Sequence, residues 1–548
     1  MKYIFITGGS ISALGKGVAT ASIGNLLKSY NQRVTCIKID PYINIDPGTL
    51  SPYQHGEVYV TEDGYEADLD IGHYERFLGD NLTSKNNMTT GQIYQSVIDK
   101  ERRGFYKGHT VQVIPHVTNE IIEFIHRVGG DDRWDVIIVE VGGTVGDIES
   151  SPFLEAIRLF SLGMKKEDVL QVHLTLVPYF SAAGEVKTKL AQHSVKTLHT
   201  LGIFPDLLLC RTDRDIPLAA REKISLFCNV PLEAVIVGKD VETIYEIPLS
   251  FYKQNVHTFI IDRLQLNADV SDNTNLDALT DIVHKIKNPT NNITIGIIGK
   301  YVELHDAYKS IIEAFIHAGA ANDCHVHIKW ISAQSVIKNG ADKMLNMVNG
   351  ILVPGGFGER GTEGKIETVR YARENKLPYF GICLGMHIAV VEYARHVCGL
   401  DDANSTEFDA DTAHPVIHMI EEKKSLENIG GTLRLGGYRC SITAGSLAER
   451  IYTAAEVVER HRHRYEFNNE YRKIIQDNGM VISGIYEEKD LVEIVELPDH
   501  PFFIGVQFHP EFKSRLSTGH PLFNNFVHAS LEHKKNSMMT DTEKVVPA

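Results

Sequence analysis

The apolar run Pro378-Tyr-Phe-Gly-Ile-Cys-Leu-Gly-Met386 breaks at Gly381, turns at Cys383 and continues into an amphipathic stretch over residues 386–397. Strand, tight turn and helix in that order make a nucleophile elbow, here with sulfur in place of a hydroxyl. A thiol at a helix N-terminus meets the positive end of the helix dipole and free N–H groups, which favour the reactive thiolate. It still needs a base. Far downstream, Val506-Gln-Phe-His-Pro-Glu511 supplies His509 and Glu511 where an apolar run would reach the carboxyl edge of a sheet. Cys383, His509 and Glu511 therefore read as nucleophile, base and orienter of an acyl transfer. A lone cysteine in such a run would be an ordinary small core residue. Here the loop Val353-Pro-Gly-Gly-Phe-Gly358 adds a third element, able to aim backbone N–H groups at an oxyanion.

A second chemistry lies near the N-terminus. The β-type run Tyr3-Ile-Phe-Ile-Thr-Gly-Gly9 leads into Ser10-Ile-Ser-Ala-Leu-Gly-Lys-Gly17 and then a helix-like stretch over residues 18–30. That order suits a phosphate-binding loop, with backbone N–H groups around phosphate oxygens and Lys16 neutralising them. The match to G-x-x-x-x-G-K-[ST] is imperfect: Ser10 takes the first glycine position and Gly17 replaces the hydroxyl residue that touches magnesium. Carboxylates must then hold Mg²⁺, which takes hard oxygen ligands and bridges phosphates to one or two acids. Asp70, in the acidic stretch 62–70, and Glu140, closing the run Val136-Ile-Ile-Val-Glu140, are the candidates. An acid ending a buried strand demands a partner, because burying it alone is unfavourable. One half of the chain would activate an oxygen with ATP and the other would make ammonia, which together describe an ATP-driven amination.

These two sites need two frameworks. At 548 residues the chain is too long for one core and calls for two or three domains. Seven cysteines with no C-x-x-C pair, no signal-peptide pattern and no apolar run of bilayer length lead to the expectation of a reducing cytosol, without thiolate metal sites. A net charge of −16 disfavours nucleic acid as a partner, since that binding depends on clustered Lys and Arg. The basic cluster Glu459-Arg-His-Arg-His-Arg-Tyr-Glu466 is flanked by acids and reads as a contact for one small anion or as a salt-bridge network. Apolar runs at 3–7, 34–39, 136–141, 170–178 and 207–210 alternate with helix-like segments, the mark of a parallel sheet covered on both faces. A second α/β pattern starts at residue 293 and runs through 350–354 and the elbow to 502–507. Between them, residues 267–292 read as a linker carrying a short amphipathic helix, and residues 534–548 as a flexible tail.

Longer strings are more specific than either motif. Lys38-Ile-Asp-Pro-Tyr-Ile-Asn-Ile-Asp-Pro-Gly-Thr49, His55-Gly-Glu-Val58, Gly72-His-Tyr-Glu-Arg-Phe77, Gly142-Gly-Thr-Val-Gly-Asp-Ile-Glu149, Gly184-Glu-Val-Lys-Thr-Lys189 and Arg462-His-Arg-Tyr-Glu466 resemble CTP synthases over essentially the whole chain. The resemblance implies two doubly wound, mostly parallel α/β sheets: a P-loop amidoligase (synthetase) domain at 1–266 and a class I glutamine amidotransferase domain at 293–533. It implies a ligase that hydrolyses glutamine at one site, passes ammonia through the protein, and aminates UTP at C4 to CTP with ATP. By the same resemblance, Lys16 and Lys38 stabilise the transferring phosphoryl group, with Asp70 and Glu140 on Mg²⁺. Ser12, Ala13, Leu14, Gly15, Lys16, Gly17 and Val18 would wrap the ATP phosphates, and Lys239, Asp240 and Val241 would lie near the adenine. UTP would fall to Ser12, Lys187, Thr188, Lys189, Leu190, Ala191, Gln192 and Lys223, while Asp147, Ile148 and Glu149 would sense CTP as a feedback inhibitor. Glutamine would meet Gly356, Leu384, Gly385, Met386, His387, Glu407 and Arg464. His55 would line the ammonia passage, and Arg360 belongs to a lid-like loop associated with GTP activation. The family implies a cytoplasmic homotetramer, in some members a filament.

Three stretches depart from the family pattern: His387 where Gln is usual, Leu190-Ala191 where Pro-Thr is, and Ser10-Ile-Ser-Ala13 where Val-Val-Ser-Ser is. The first two border the glutamine and UTP pockets and are expected to tune affinity, since neither removes a charged catalytic group. One helical turn beyond Cys383, His387 can replace an amide as donor or acceptor while neutral and would help hold the thiolate if charged, so it is expected to shape the glutaminase pH profile between about 5 and 8. Two other readings stay open on sequence grounds. One is a different ATP-dependent amidotransferase, with a P-loop domain of the dethiobiotin-synthetase type acting on a carboxylate. The other is a non-enzymatic nucleotide-sensing or polymer-forming scaffold, although such a scaffold needs none of Cys383, His509, Glu511, Lys16 or Glu140.

Overall fold

The computed structural model describes the chain except residues 10, 131–132, 269–273, 300–302, 357, 359–360, 420–432 and 544–548. Arg360, expected in the GTP-associated loop, lies outside the described residues. The chain divides into two compact units, Met1–Pro47 with Ala67–Lys287, and Gly48–Glu66 with Asn288–Ala548.

Strands rich in Val, Ile and Leu and buried nearly throughout form the first sheet, as expected where helices cover both faces. Seven parallel strands run in the order Val235–Lys239, Leu207–Thr212, Val169–Leu176, Lys2–Gly8, Val136–Val141, Val34–Asp40 and Asn87–Thr89. The strand that feeds the phosphate-loop segment is thus central. Its neighbour Val136–Val141 pairs Glu140 with Ile6 on one side and with Lys38 on the other. Register therefore gathers Lys38 and Glu140 at the carboxyl edge, where open parallel sheets bind ligands.

The main sheet of the second unit runs in the order Cys324–Ser332, Asn291–Gly299, Gly350–Val353, Tyr379–Ile382, Phe503–Val506, Leu491–Glu496, Val481–Tyr486, Arg434–Ile442 and Glu456–His463. The first five pair in parallel and the rest join antiparallel. Apolar side chains of Thr362–Glu374 and Leu384–His396 pack in one core, and those of Lys309–Ala321 and Pro521–Glu543 in another.

Three expectations about organisation meet a different arrangement. Residues 48–66, expected inside the first domain, pack with the second unit. The linker helix Thr274–Lys287 buries Leu276, Leu279 and Val283 and belongs to the first unit, so the apolar stripe docks it. The expected tail begins inside the helix Pro521–Glu543, where Lys534 Nζ donates to Asn292 O at 2.7 Å. Only its last residues, 544–548, fall outside the described part.

Candidate active site

The buried strand Tyr379–Ile382 ends at Cys383, whose φ of 52° and ψ of −102° depart from helix and strand alike before the helix Leu384–His396 begins. A non-glycine residue held there stores about 1–3 kcal/mol of strain. Its neighbours hold it. Cys383 N donates to Val506 O at 2.7 Å, and a Cβ on Gly385 would lie 2.2 Å from Val353 O. Glycine at 385 is what lets the elbow sit down on the adjacent strand. Across from it, His509 Nδ1 and Glu511 Oε1 are 2.7 Å apart and both residues are buried. A Cβ on Gly355 would come within 2.6 Å of His509 Cε1 and 3.6 Å of Cys383 Cβ, so the backbone at Gly355 skirts both expected catalytic groups. Burial by itself pushes the His509 imidazole down, but the Glu511 charge and hydrogen bonding to Cys383 and Glu511 outweigh it and raise His509 to about 10. The ring is an imidazolium at neutral pH.

The expected glutamine residues fall into two groups. Gly356, Leu384, Glu407 and Arg464 line one region: a Cβ on Gly356 would touch Leu384 Cδ2 at 3.6 Å, and Glu407 Oε1 accepts from Gly358 N at 2.8 Å. Burial, then Glu407, raise the Tyr465 phenol while Arg464 opposes them, so both charges lie beside one ring. Gly385, Met386 and His387 are instead buried in the first turn of the helix. His387 Nε2 lies 2.8 Å from Gln507 Oε1, and Gln507 Nε2 lies 4.0 Å from Cys383 Sγ. Burial lowers His387 to about 4, against hydrogen bonds from Gln507 and the Tyr465 backbone that raise it. Of the two forms open to His387, a neutral and a charged ring, burial favours the neutral one between pH 5 and 8. The basic cluster is a salt-bridge network, with Arg460 on Glu62 at 2.9 Å, Arg462 on Glu66 at 2.8 Å, Glu459 on His520 at 2.9 Å and Glu466 on Arg434 at 3.3 Å.

In the first unit the helix Lys16–Ser29 starts after Gly15, in the left-handed region at φ 86°, with Ala13 also at positive φ. Lys16 Nζ donates to Gly143 O at 2.7 Å. The missing hydroxyl at Gly17 has a structural reason: a Cβ there would stand 1.8 Å from Asp70 Oδ1. The carboxylate occupies the space that a Ser or Thr would need. Lys38 Nζ pairs with Asp70, with Asp68 at 3.0 Å, Asp40 at 3.4 Å and Glu140 at 3.9 Å, and Tyr74 donates to Glu140. Four acids thus share one buried lysine. Burial first, then the charge of Asp70, push Glu140 up to about 7 against Lys38 and Lys16; burial likewise raises Asp40 to about 7. Burial also lowers Lys16. Among the described residues no group of three or more His, Cys, Asp or Glu could hold a metal alone. The surplus carboxylate charge fits a divalent cation held by one or two acids together with phosphate oxygens.

Lys187, Thr188, Lys189 and Lys223 line a cavity of about 510 Å³ with Arg214 and Tyr179. Lys187 pairs with Glu185, and Arg214 stacks 3.4 Å from the Tyr179 ring centroid. Leu190 is partly exposed, whereas Ala191 is in the core and Gln192 turns back to Thr188 Oγ1 at 3.0 Å. Asp147, Ile148 and Glu149 are exposed; Asp147 Oδ2 accepts from Thr144 N at 3.0 Å. Ser12 is exposed, Leu14 buried and Val18 intermediate. Lys239 pairs with Asp215 at 3.4 Å, Asp240 pairs with Arg211 at 3.1 Å, and Val241 follows them, half-buried. His55 ends the short helix Pro52–His55 in the second unit.

Sequence reasoning missed Asp40, Asp68, Arg211 and Gln507. Asp40 ends a buried strand as Glu140 does, and the same argument finds it. Arg211 Nη1 donates to Ala13 O at 2.7 Å, tying the phosphate-loop segment to Asp240, and no sequence pattern signals that contact.

Comparison with known proteins gives the family. The model of the CTP synthase N-terminus matches residues 2–266, and that of class-I glutamine amidotransferases matches residues 303–529. CTP synthase from Caldanaerobacter subterraneus subsp. tengcongensis is 55% identical over 98% of this chain and 99% of its own length. CTP synthase from Ruminiclostridium cellulolyticum is 54% identical over 97% and 99%. A solved glutaminase domain of Trypanosoma brucei CTPS with bound acivicin is 36% identical, covers 44% of this chain and 94% of that one, and has a TM-score of 0.42. With near-complete coverage on both sides, this chain belongs to the CTP synthase family, glutamine-hydrolysing ligases that aminate UTP to CTP.

Proposed function

We propose that the two sites divide the reaction into ammonia production and its use. Cys383 Sγ attacks the glutamine side-chain carbonyl while backbone N–H groups of the 353–358 loop and the elbow receive the oxyanion. The His509 imidazolium, oriented by Glu511, protonates the leaving ammonia, then takes a proton from the water that cleaves the thioester and releases glutamate. Gly356, Leu384, Glu407 and Arg464 bind the rest of glutamine, with Gly385, Met386 and His387 shaping the turn beneath it. His55 lines the route of ammonia.

In the first unit O4 of UTP attacks the γ-phosphorus of ATP, ADP leaves, and ammonia adds at C4. Phosphate then departs with O4, giving CTP. O4 alone is a poor leaving group, which is the chemical reason for the 4-phosphorylated intermediate. Lys16 and Lys38 meet the charge on the transferring phosphoryl group. Residues 12–18 hold the ATP phosphates, and Lys239, Asp240 and Val241 lie near the adenine. Asp70 and Glu140 would hold Mg²⁺, which when bound screens phosphate charge and orients the γ-phosphoryl group. Lys187, Thr188, Lys189 and Lys223, with Ser12, Leu190, Ala191 and Gln192, form the pyrimidine triphosphate region. Asp147, Ile148 and Glu149 read the CTP base as a feedback signal. Family membership supports GTP activation through the loop holding Arg360, a homotetramer, filaments and a cytoplasmic setting.

One observation carries the reading: a positioned Cys383, His509 and Glu511 in the same chain as a lysine-and-acid cluster at a phosphate-loop edge. The test is [4-¹⁸O]UTP with ATP, Mg²⁺ and either glutamine or ammonium. CTP should form with both nitrogen sources and the label should leave in inorganic phosphate. Label released as water, or no CTP from either source, contradicts it.

A further inference from the structure

Residues 48–66 follow the strand that carries Lys38 and Asp40 and end two positions before Asp68, yet they pack with the second unit. Their contacts converge on the turn that bears His509 and Glu511. Tyr59 is fully buried, and its hydroxyl donates to Phe512 O at 2.7 Å. The Tyr59 ring meets Phe512 edge-on at 5.0 Å, and Phe512 stacks on His509 at 5.2 Å and 18°. Arg460, also fully buried, donates to Glu62 at 2.9 Å, and to the Tyr59 hydroxyl and Val60 O at 3.1 Å each. From the backbone of the same residue, Arg460 O accepts from His509 N at 2.7 Å. Two routes therefore run from this segment to His509, one through rings and one through the Arg460 strand.

We propose that residues 48–66 form a positioning strap for the His509–Glu511 pair, with Tyr59 and the Glu62–Arg460 ion pair as its fastenings. The proposal rests on the reading of His509 as the base of glutamine hydrolysis. Neither Tyr59 nor Glu62 touches glutamine; each acts through Phe512 or Arg460 on where the imidazole stands. Small displacements of a catalytic group reduce turnover without weakening substrate binding.

Glutamine hydrolysis by Tyr59→Leu should fall about tenfold in kcat, with KM for glutamine within about twofold. Tyr59→Phe keeps the ring contact and should recover most of that loss, to within about threefold of the original. Ammonium-dependent CTP synthesis, read in parallel, reports whether the Leu variant folds. If it does not, Tyr59→Phe and Glu62→Gln carry the test, each with a kcat loss of about threefold at unchanged KM. An unchanged kcat in Tyr59→Leu, or in Glu62→Gln where the Leu variant does not fold, overturns the strap, as does a rise in KM equal to the fall in kcat/KM, or a Phe variant no better than a folded Leu variant. Cys383→Ala run alongside separates the two levels: glutaminase that survives in it defeats the underlying reading instead.

Discussion

Cys383 and Glu140 both stand at the carboxyl edge of a parallel sheet, but their surroundings are prepared in opposite ways. Beside Cys383 one charge pair is already formed: Glu511 holds His509 as an imidazolium, and the elbow keeps its strained backbone through close contacts at Gly385 and Val506. Around Glu140 they are not. Four acids crowd Lys38, and Glu140 and Asp40 are pushed to about 7 because burial and like charge oppose their ionisation. The first site pairs its buried acid with a cation of its own, whereas the second carries more buried carboxylates than its lysine can neutralise. Each site should therefore fail in its own way when altered.

The largest effect is expected from Lys16→Ala. It should lower CTP formation from glutamine and from ammonium alike, by about a thousandfold, because the phosphoryl charge loses its cation. Basal glutamine hydrolysis should continue; its loss would merge the two sites that the comparison separates.

Glu140→Gln sharpens the contrast through stability. A carboxyl whose folded value is about 7, above its ordinary 4.5, binds its proton more tightly when folded, so ionising it weakens the fold. That loss begins above pH 4.5 and is complete above about 7, at roughly 3 kcal/mol. The Gln variant should lose amination yet melt higher than the parent at pH 8, with the difference vanishing near pH 4. A lower melting point at pH 8 would mean that Glu140 is fully satisfied without a cation.

Glu149→Ala should weaken CTP inhibition about tenfold while changing the UTP requirement less than about twofold, since an acidic acceptor can take the N4 hydrogens of CTP but finds no donor at O4 of UTP. Parallel shifts in both would place base reading elsewhere. His387→Gln should be the mildest, changing KM for glutamine about twofold to threefold and leaving the pH 5–8 glutaminase profile alone. Because the folded value of His387, about 4, lies below its ordinary 6.5, protonation favours the unfolded chain and stability is lost as pH falls from 6.5 to 4. The Gln variant should resist acid unfolding better in that window, and an altered profile between pH 5 and 8 would restore a charged role.

Much of this was legible in sequence where a residue's chemistry is local. The elbow at Cys383 and the loop before Lys16 announce themselves because strand, turn and helix follow within a few positions. The His509–Glu511 spacing does likewise. What stayed hidden depends on folding at long range. Nothing in the order of residues says that a Cβ at 17 would strike Asp70, or that 48–66 joins the second unit. The antiparallel half of the second sheet was equally obscure. Glu456–His463 mixes exposed, half-buried and buried charges, and the buried Arg460 is met by Glu62, Tyr59 and Val60 from far along the chain. For His387, adjacency to Cys383 left a neutral and a charged ring both open, and only its burial against Gln507, which depends on folding, favours the neutral one.

If the two chemistries meet only through ammonia, Cys383→Ala separates them most directly. Glutamine-dependent CTP formation should fall to background in this variant, while ammonium-dependent formation at saturating ATP and UTP stays within about twofold of the parent. Loss of both activities, or survival of the glutamine-dependent one, would contradict it.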